Sequence, residues 1–393
     1  MSVAAVAALD TLTALDPSLL YVFVAGPSTG EGIAVALPGA SWLVVDGCAL
    51  GNERKESVSV IKQILRHWRR GEGDYVEGFV WTHPHDDHSV GVTQALDAFP
   101  PRWVGMAGEK KEADRVIALL RRHVPSVSAG SSSRERQAAV AVAKKVEDLL
   151  HSGVRYEPML DGQTLLLAGG AITMTVCAPD VSSLQRVIKW CEENAPRRDV
   201  VNEASVVFEL RWGAHGLVFG GDLPYFPTGS TTPIVGGWRD VMRRSPRLAG
   251  HGLLKVPHHG SIHALEPPLI APMRADGVRD WVVTPFAKEN LPRAATEEGL
   301  ARLLDAQEPV RLTALPIRRD EQLPLPDVLT RSEVEARVQV AKGSSASPGL
   351  SAPARWRVTP HTMAWDDPLW CVAFNQERVV GRWRGRVACE VRR

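Results

Sequence analysis

The chain has 393 residues, 44% hydrophobic and 23% charged, with a formal net charge of +1; this is the profile of a globular protein and gives no global argument for nucleic-acid binding. Five scattered cysteines, Cys48, Cys177, Cys191, Cys371 and Cys389, form no Cys-x-x-Cys pair, which argues against a disulfide framework and a cysteine zinc site. The first ten residues lack the basic region of a signal peptide and no run of about 18 apolar residues occurs, so a reducing cytoplasm and no membrane span are expected.

Tyr21 to Val24, Gly32 to Leu37 and Ser41 to Val45 read as three strands, the last ending at Asp46-Gly47. Glu53 to Arg70 has helical spacing, with Val58, Ile61, Ile64, Leu65 and Trp68 on one face and Gly71 and Gly73 as its stop. Tyr75 to Trp81 is the next strand, and it runs into Thr82-His83-Pro84-His85-Asp86-Asp87-His88. Three imidazoles and two carboxylates within six residues are costly to bury together, whereas they suit Zn²⁺, Mn²⁺ or iron.

After a short helix to about Ala98 comes a basic helical stretch, Glu109 to His123 and Glu135 to His151, joined by a Ser/Gly-rich loop. Strand patterns return at Gln163 to Leu167, Ile172 to Val176, Ser205 to Leu210 and Gly216 to Phe219. The last of these leads to Gly220-Gly221-Asp222, a carboxylate able to bridge two ions. Leu253 to Val256 leads in the same way to Pro257-His258-His259-Gly260-Ser261. Trp281 to Thr284 is a further strand, and Thr296 to Gln307 a helix with Thr296 as N-cap. Beyond residue 316 the composition becomes proline-rich, then Ser/Gly-rich over residues 343–353, before a terminal hairpin formed by Leu369 to Phe374 and Arg378 to Val391. The mixture of strands and helices indicates an α/β architecture.

Three strand ends that each deliver metal-ligand residue types are hard to explain separately. His83-x-His85-x-Asp87-His88, Gly221-Asp222 and Lys255-Val-Pro-His258-His259-Gly260-Ser261 resemble the metallo-β-lactamase superfamily. The branch they most resemble is typified by the hydrolase domain of the bacterial competence (DNA-internalisation) channel protein. The resemblance covers roughly residues 18–315. It implies a four-layer αββα sandwich over 18–316, with a basic helical insertion at about 105–152, and leaves 317–393 as a C-terminal extension. It also implies two divalent metal ions, zinc or manganese. His83 and His85 would hold the first, Asp87 and His88 the second, Asp222 would bridge, and His258 or His259 would complete the second site, with His258 preferred as the nearer to the strand end. Most of the superfamily has a further histidine before the bridging aspartate. Here that region reads Val200-Val-Asn-Glu-Ala-Ser205, and Asn202 and Ser205 fit the Asn…Ser pattern of the branch as substrate-facing residues.

Two ions about 3.5–4 Å apart lower the pKa of bound water and polarise an electrophile, which suits hydrolysis of a phosphodiester, thioester, lactone or amide. Asp87 could orient the nucleophile and accept its proton, and Ser261 and His263 could contact substrate oxygens. The branch resemblance implies a phosphodiesterase, most naturally a nuclease acting on DNA. Arg243 and Arg244, together with basic groups in residues 103–145 and at the C-terminus, are expected to serve the phosphate backbone. A small-molecule hydrolase on the same scaffold, and a regulatory subunit with a degenerate site working through a protein partner, are the competing expectations.

Overall fold

The computed structural model describes residues 5–27, 30–50, 57–123, 132–193, 198–225, 236–264, 279–286, 291–293, 297–315, 323–340 and 364–393. Two nine-stranded sheets make up its centre. The first has the order Val6–Ala8, Val379–Arg384, Leu369–Phe374, Leu20–Ala25, Glu31–Ala36, Ser41–Gly47, Tyr75–Val80, Pro101–Ala107, Arg155–Met159. The second runs Thr164–Leu167, Ile172–Ala178, Val207–Trp212, His215–Phe219, Leu253–Lys255, Asp280–Val283, Val310–Leu312, Cys389–Arg392, Val328–Thr330.

Alternation along the strands builds the layers. Leu20, Val22 and Val24 face the second sheet and pack in one cluster with Phe208, Phe219 and Trp370. Tyr21, Phe23 and Ala25 point the other way, onto Ile61, Ile64 and Trp68 of the helix Val60–Trp68. On the outer face of the second sheet, Trp238 and Val241 of the helix Gly237–Arg244 pack with Val218, Leu254 and Trp281. The result is helices, sheet, sheet, helices, as the αββα expectation requires. Among the described residues no helix is long and apolar enough to cross a membrane.

The basic stretch and the C-terminal residues both take part in the two sheets and their covering layers. The basic stretch forms the helices Lys110–His123 and Ser132–His151, which make the crossover between the parallel strands Pro101–Ala107 and Arg155–Met159. Ala139, Val142, Ala143, Val146 and Leu149 form a buried stripe, so the second helix is part of a packing layer. The C-terminal residues are likewise integral. Leu369–Phe374 pairs antiparallel with Leu20–Ala25 in the first sheet, and Cys389–Arg392 lies between Val310–Leu312 and Val328–Thr330 in the second. Residues 316–322 and 343–353, the N-cap at Thr296 and the helix start at Glu53 lie outside the described residues.

Each sheet is half antiparallel and half parallel, and the parallel halves position the site. Ser41–Gly47 and Tyr75–Val80 run parallel in one sheet; His215–Phe219, Leu253–Lys255 and Asp280–Val283 run parallel in the other. The carboxyl ends of these strands and the loops leaving them carry Asp46, residues 82–88, Asp222, residues 258–259 and Thr284. Open α/β sheets present their ligand-binding residues at such an edge.

Candidate metal centre

Asp222 lies at the middle of the site and is fully buried. Its N–H donates to Ser205 Oγ at 3.3 Å, and Gly221 before it has φ +48°, where a Cβ would stand 3.2 Å from the Ser205 side chain. Glycine therefore suits this turn, which brings the carboxylate over the edge. His83 Nε2 is 3.7 Å from Asp222 Oδ2 and 3.0 Å from His85 Nδ1, while His88 Nε2 is 3.3 Å from Asp222 Oδ1. Ligands placed tetrahedrally about 2.0–2.2 Å from one ion lie roughly 3.3–3.6 Å apart, so these spacings suit a shared cation on either side of Asp222.

Hydrogen bonds behind the imidazoles determine which nitrogen faces inward. Thr82 N–H and Oγ–H both donate to Asp46, at 2.8 and 2.6 Å. With its proton thus committed, Thr82 Oγ accepts from His83 Nδ1 at 3.0 Å, which leaves the lone pair on His83 Nε2. His88 Nδ1 donates to Asp46 Oδ2 at 2.8 Å, and His259 Nδ1 to the Thr284 carbonyl at 2.8 Å. Three histidines thus have Nδ1 anchored from behind and Nε2 directed into the site, as metal-ligating histidines are held.

Both carboxylate oxygens of Asp222 and Nε2 of His88 are buried with no hydrogen bond of acceptable geometry. Burial opposes the charge on Asp222, but His88, His258 and His259 outweigh it and hold the carboxyl well below its usual range. Burial equally disfavours a charged His88, yet Asp222, Glu31 and Asp46 drive its pKa well above the ordinary value, and His259 is raised by Asp222 and Asp87 in the same way. His83 goes well below, through burial and the neighbouring His88 and His85. A surplus of buried negative charge thus favours the protonated form of two imidazoles. Replacing those protons with divalent cations relieves the same imbalance, so the residues fit metal ions.

Glu31 was not singled out from the sequence. It begins the strand Glu31–Ala36 opposite Gly47, which places it at the same edge. With His88, Asp222 and His259 it offers donor atoms that all lie within 4.8 Å, as do His83, His85 and Asp222 in a second group. Its closest imidazole contacts are nevertheless with the rear nitrogens, His259 Nδ1 at 3.4 Å and His88 Nδ1 at 3.8 Å. Lys255 Nζ at 2.5 Å and Thr284 Oγ at 2.7 Å hold its Oε2. Glu31 therefore stands behind the histidines. Asp87 is on the inward side, with Oδ2 3.4 Å from His259 Nε2.

The other expected residues are placed as follows. The preference for His258 over His259 is reversed: His259 is fully buried and belongs to the donor group, whereas the His258 side chain is 16% exposed with Nε2 4.0 Å from Asp222. The turn explains it, since both residues adopt left-handed backbone, φ +46° and +53°, which directs consecutive side chains away from each other. Ser205, expected to touch substrate, is fully buried and positions Asp222 instead. Asn202, at the end of the helix Arg198–Asn202, is buried with Oδ1 lacking a hydrogen-bond partner. Ser261 closes the histidine turn, its N–H donating to the His258 carbonyl and its Oγ accepting from His263 N–H; the described contacts join neither Ser261 nor His263 to the donor groups. Arg243 and Arg244 are engaged on the outer helix layer. Arg243 pairs with Asp240 at 2.9 Å, and Arg244 with Asp240 and with Asp161 at 2.8 Å.

No protein-family model and no curated protein matches the chain. Solved structures do. A B3 metallo-β-lactamase described as having an active-site glutamic acid is 15% identical, over 64% of this chain and 83% of its own, with a TM-score of 0.31. A β-lactamase domain protein from Burkholderia ambifaria is 16% identical over 60% of this chain and 66% of its own, TM-score 0.33. CmlA, a diiron β-hydroxylase from Streptomyces venezuelae, is 11% identical over 62% of this chain, which spans only 35% of CmlA, TM-score 0.30.

Proposed function

We propose that this chain is a metal-dependent hydrolase whose substrate is a phosphodiester. The observation that supports it is Asp222: a buried carboxylate whose two oxygens, without hydrogen bonds, each face a separate set of imidazole nitrogens. Divalent ions held by His83, His85 and Asp222 on one side, and by Asp87, His88, His259 and Asp222 on the other, would supply Lewis acidity and lower the pKa of water at the site toward ~7. The chain's own residues do the rest. Asp46 and Thr82 fix the histidine tautomers, Ser205 and Gly221 aim Asp222, and Asp87 is placed to accept a proton from the attacking water.

The choice of a phosphodiester follows the resemblance of Lys255 to Ser261 and of the Asn202…Ser205 pair, and DNA is its most specific form. A second reading, a small-molecule hydrolase, is favoured by the basic side chains, many of which are engaged with carboxylates. Arg115 pairs with Glu192 at 2.6 Å, Lys145 with Asp97 at 2.5 Å, Arg247 with Glu209 at 3.0 Å and Arg386 with Asp367 at 2.6 Å. The side chains of Arg121, Arg122, Arg134 and Arg136 lie outside the described residues.

The test is metal analysis of purified protein beside hydrolysis of bis(p-nitrophenyl) phosphate, single-stranded DNA and duplex DNA with added Zn²⁺ or Mn²⁺. Asp222→Ala is expected to abolish binding of both ions and to cut activity at least a thousandfold, and His85→Ala to weaken one ion selectively. Full activity in both variants would refute the mechanism. A metal-free wild type inert toward every ester would point to a regulatory subunit with a protein partner.

A further inference from the structure

Trp81 and His83, at the end of the strand that delivers the histidine motif, form one wall of a cavity of about 50 Å³. Leu119, Leu184, Ile188 and Val201 face them from three helices, and Ala107 lies on the lining between. His83 belongs to both features, since its ring lines the cavity while its Nε2 faces Asp222. A molecule reacting at the donor groups therefore has this cavity as its immediate neighbour.

The chemistry of the lining restricts what enters. The wall is almost wholly apolar, and the Thr82 hydroxyl is committed to Asp46 and His83. The Trp81 indole N–H is buried with no hydrogen-bond partner. An ion in this cavity would lose its hydration with no counter-charge, whereas an alkyl group gains by leaving water. This volume exceeds what one water needs, so a small apolar group fits it.

We propose that the substrate carries an uncharged alkyl group beside the bond that is cleaved, and that this group is seated between Trp81 and the Leu119–Ile188 wall. This rests on the hydrolase reading above and narrows its substrate class to phosphodiesters that carry an alkyl group.

The test uses the full chain loaded with Zn²⁺ or Mn²⁺ and the methyl, butyl and octyl p-nitrophenyl phosphodiesters, with p-nitrophenyl acetate, pentanoate and decanoate alongside. kcat/KM is expected to peak at the middle length, at least tenfold above the shortest. Independently of turnover, calorimetry with methylphosphonate and butylphosphonate is expected to give at least tenfold tighter binding of the butyl probe. Ala107→Leu, which fills the cavity, should erase both preferences while leaving the methyl compounds unaffected. Leu119→Ala, which enlarges it, should move the optimum to longer chains. Equal handling of all lengths in both assays overturns the proposal, as does faster turnover of DNA than of any alkyl ester. If nothing is hydrolysed but the butyl preference in binding survives and is lost in Ala107→Leu, the subsite stands and the hydrolase reading falls.

Discussion

Glu31 and Lys255 form a buried ion pair, and its location gives it an effect out of proportion to its size. Removing one partner of such a pair leaves an uncompensated charge and costs about 3–5 kcal/mol, whereas replacing both with neutral groups is often tolerated. Glu31→Gln should therefore destabilise the metal-free protein by about that amount, and Glu31→Gln with Lys255→Met should recover most of it in urea denaturation. Because Glu31 stands behind His88 and His259, the double variant should still bind metal, roughly 10–100-fold more weakly, the range found when such supporting groups are lost. Complete loss of one ion in a stable double variant would instead make Glu31 a ligand. His251 gives a test free of the metal site. Its Nδ1 donates to the Leu248 carbonyl and its Nε2 accepts from the Trp281 indole, and burial lowers its pKa to about 4. Between about pH 4 and 6.5 the unfolded chain binds the extra proton and the folded one does not. Stability therefore rises with pH across that window, and the neutral histidine costs on the order of 3 kcal/mol below it. His251→Gln should flatten this part of the pH profile of unfolding free energy; an unchanged slope would contradict the assignment.

At the scale of elements, legibility followed sequence distance. The cluster from His83 to His88 is local, so ligand chemistry could be read from one loop, and Asp222 and His259 were found because each also follows an apolar strand. Glu31 announces itself only by being a charged residue at the head of a buried strand, and its partners Lys255 and Thr284 are more than two hundred residues away. The basic stretch before residue 152 looks polar because lysines and arginines dominate its composition, although Ala139, Val142, Ala143 and Val146 mark a buried face. The terminal hairpin is present, since Leu369–Phe374 pairs antiparallel with Val379–Arg384, but its second arm, expected over Arg378 to Val391, divides: Val379–Arg384 and Cys389–Arg392 belong to different sheets. Gly385 permits that crossing, since a Cβ there would lie 2.2 Å from the Asp366 and Asp367 carbonyl oxygens. The crossing also brings buried charge with it. Arg382 of the first sheet reaches Asp280 of the second with paired bonds of 2.7 and 2.9 Å, while Arg311 joins Asp280 at 2.8 Å and Glu390 at 3.1 Å. Bidentate geometry of this kind is specific to arginine. Arg382→Lys should thus destabilise nearly as much as Arg382→Ala, by roughly 3 kcal/mol in thermal or urea unfolding. A lysine variant of wild-type stability would show the fork to be dispensable.

For the molecule as a whole, the decisive question is whether the two-sheet core exists without its C-terminal strands. Leu369–Phe374 separates Leu20–Ala25 from solvent, and Cys389–Arg392 separates Val310–Leu312 from the edge strand Val328–Thr330. Deleting residues 364–393 would open both sheets in their interiors and bare two rows of unpaired backbone groups. It would also remove Leu369, Trp370, Val372, Phe374, Val387 and Val391, none more than 1% exposed. At about 1.5–3 kcal/mol for each large apolar side chain, that loss is roughly 9–18 kcal/mol, as large as the ~5–15 kcal/mol that holds a typical domain together. A chain ending at residue 363 is therefore expected to be insoluble or to show no cooperative unfolding transition by circular dichroism. The metal centre would go with it, because His259, Thr284 and Lys255 hang from the sheet that Cys389–Arg392 helps to close. If the truncated chain instead melted cooperatively and kept its metal, the C-terminal strands would be an addition to a self-sufficient core, and the boundary drawn at residue 316 from composition would be restored.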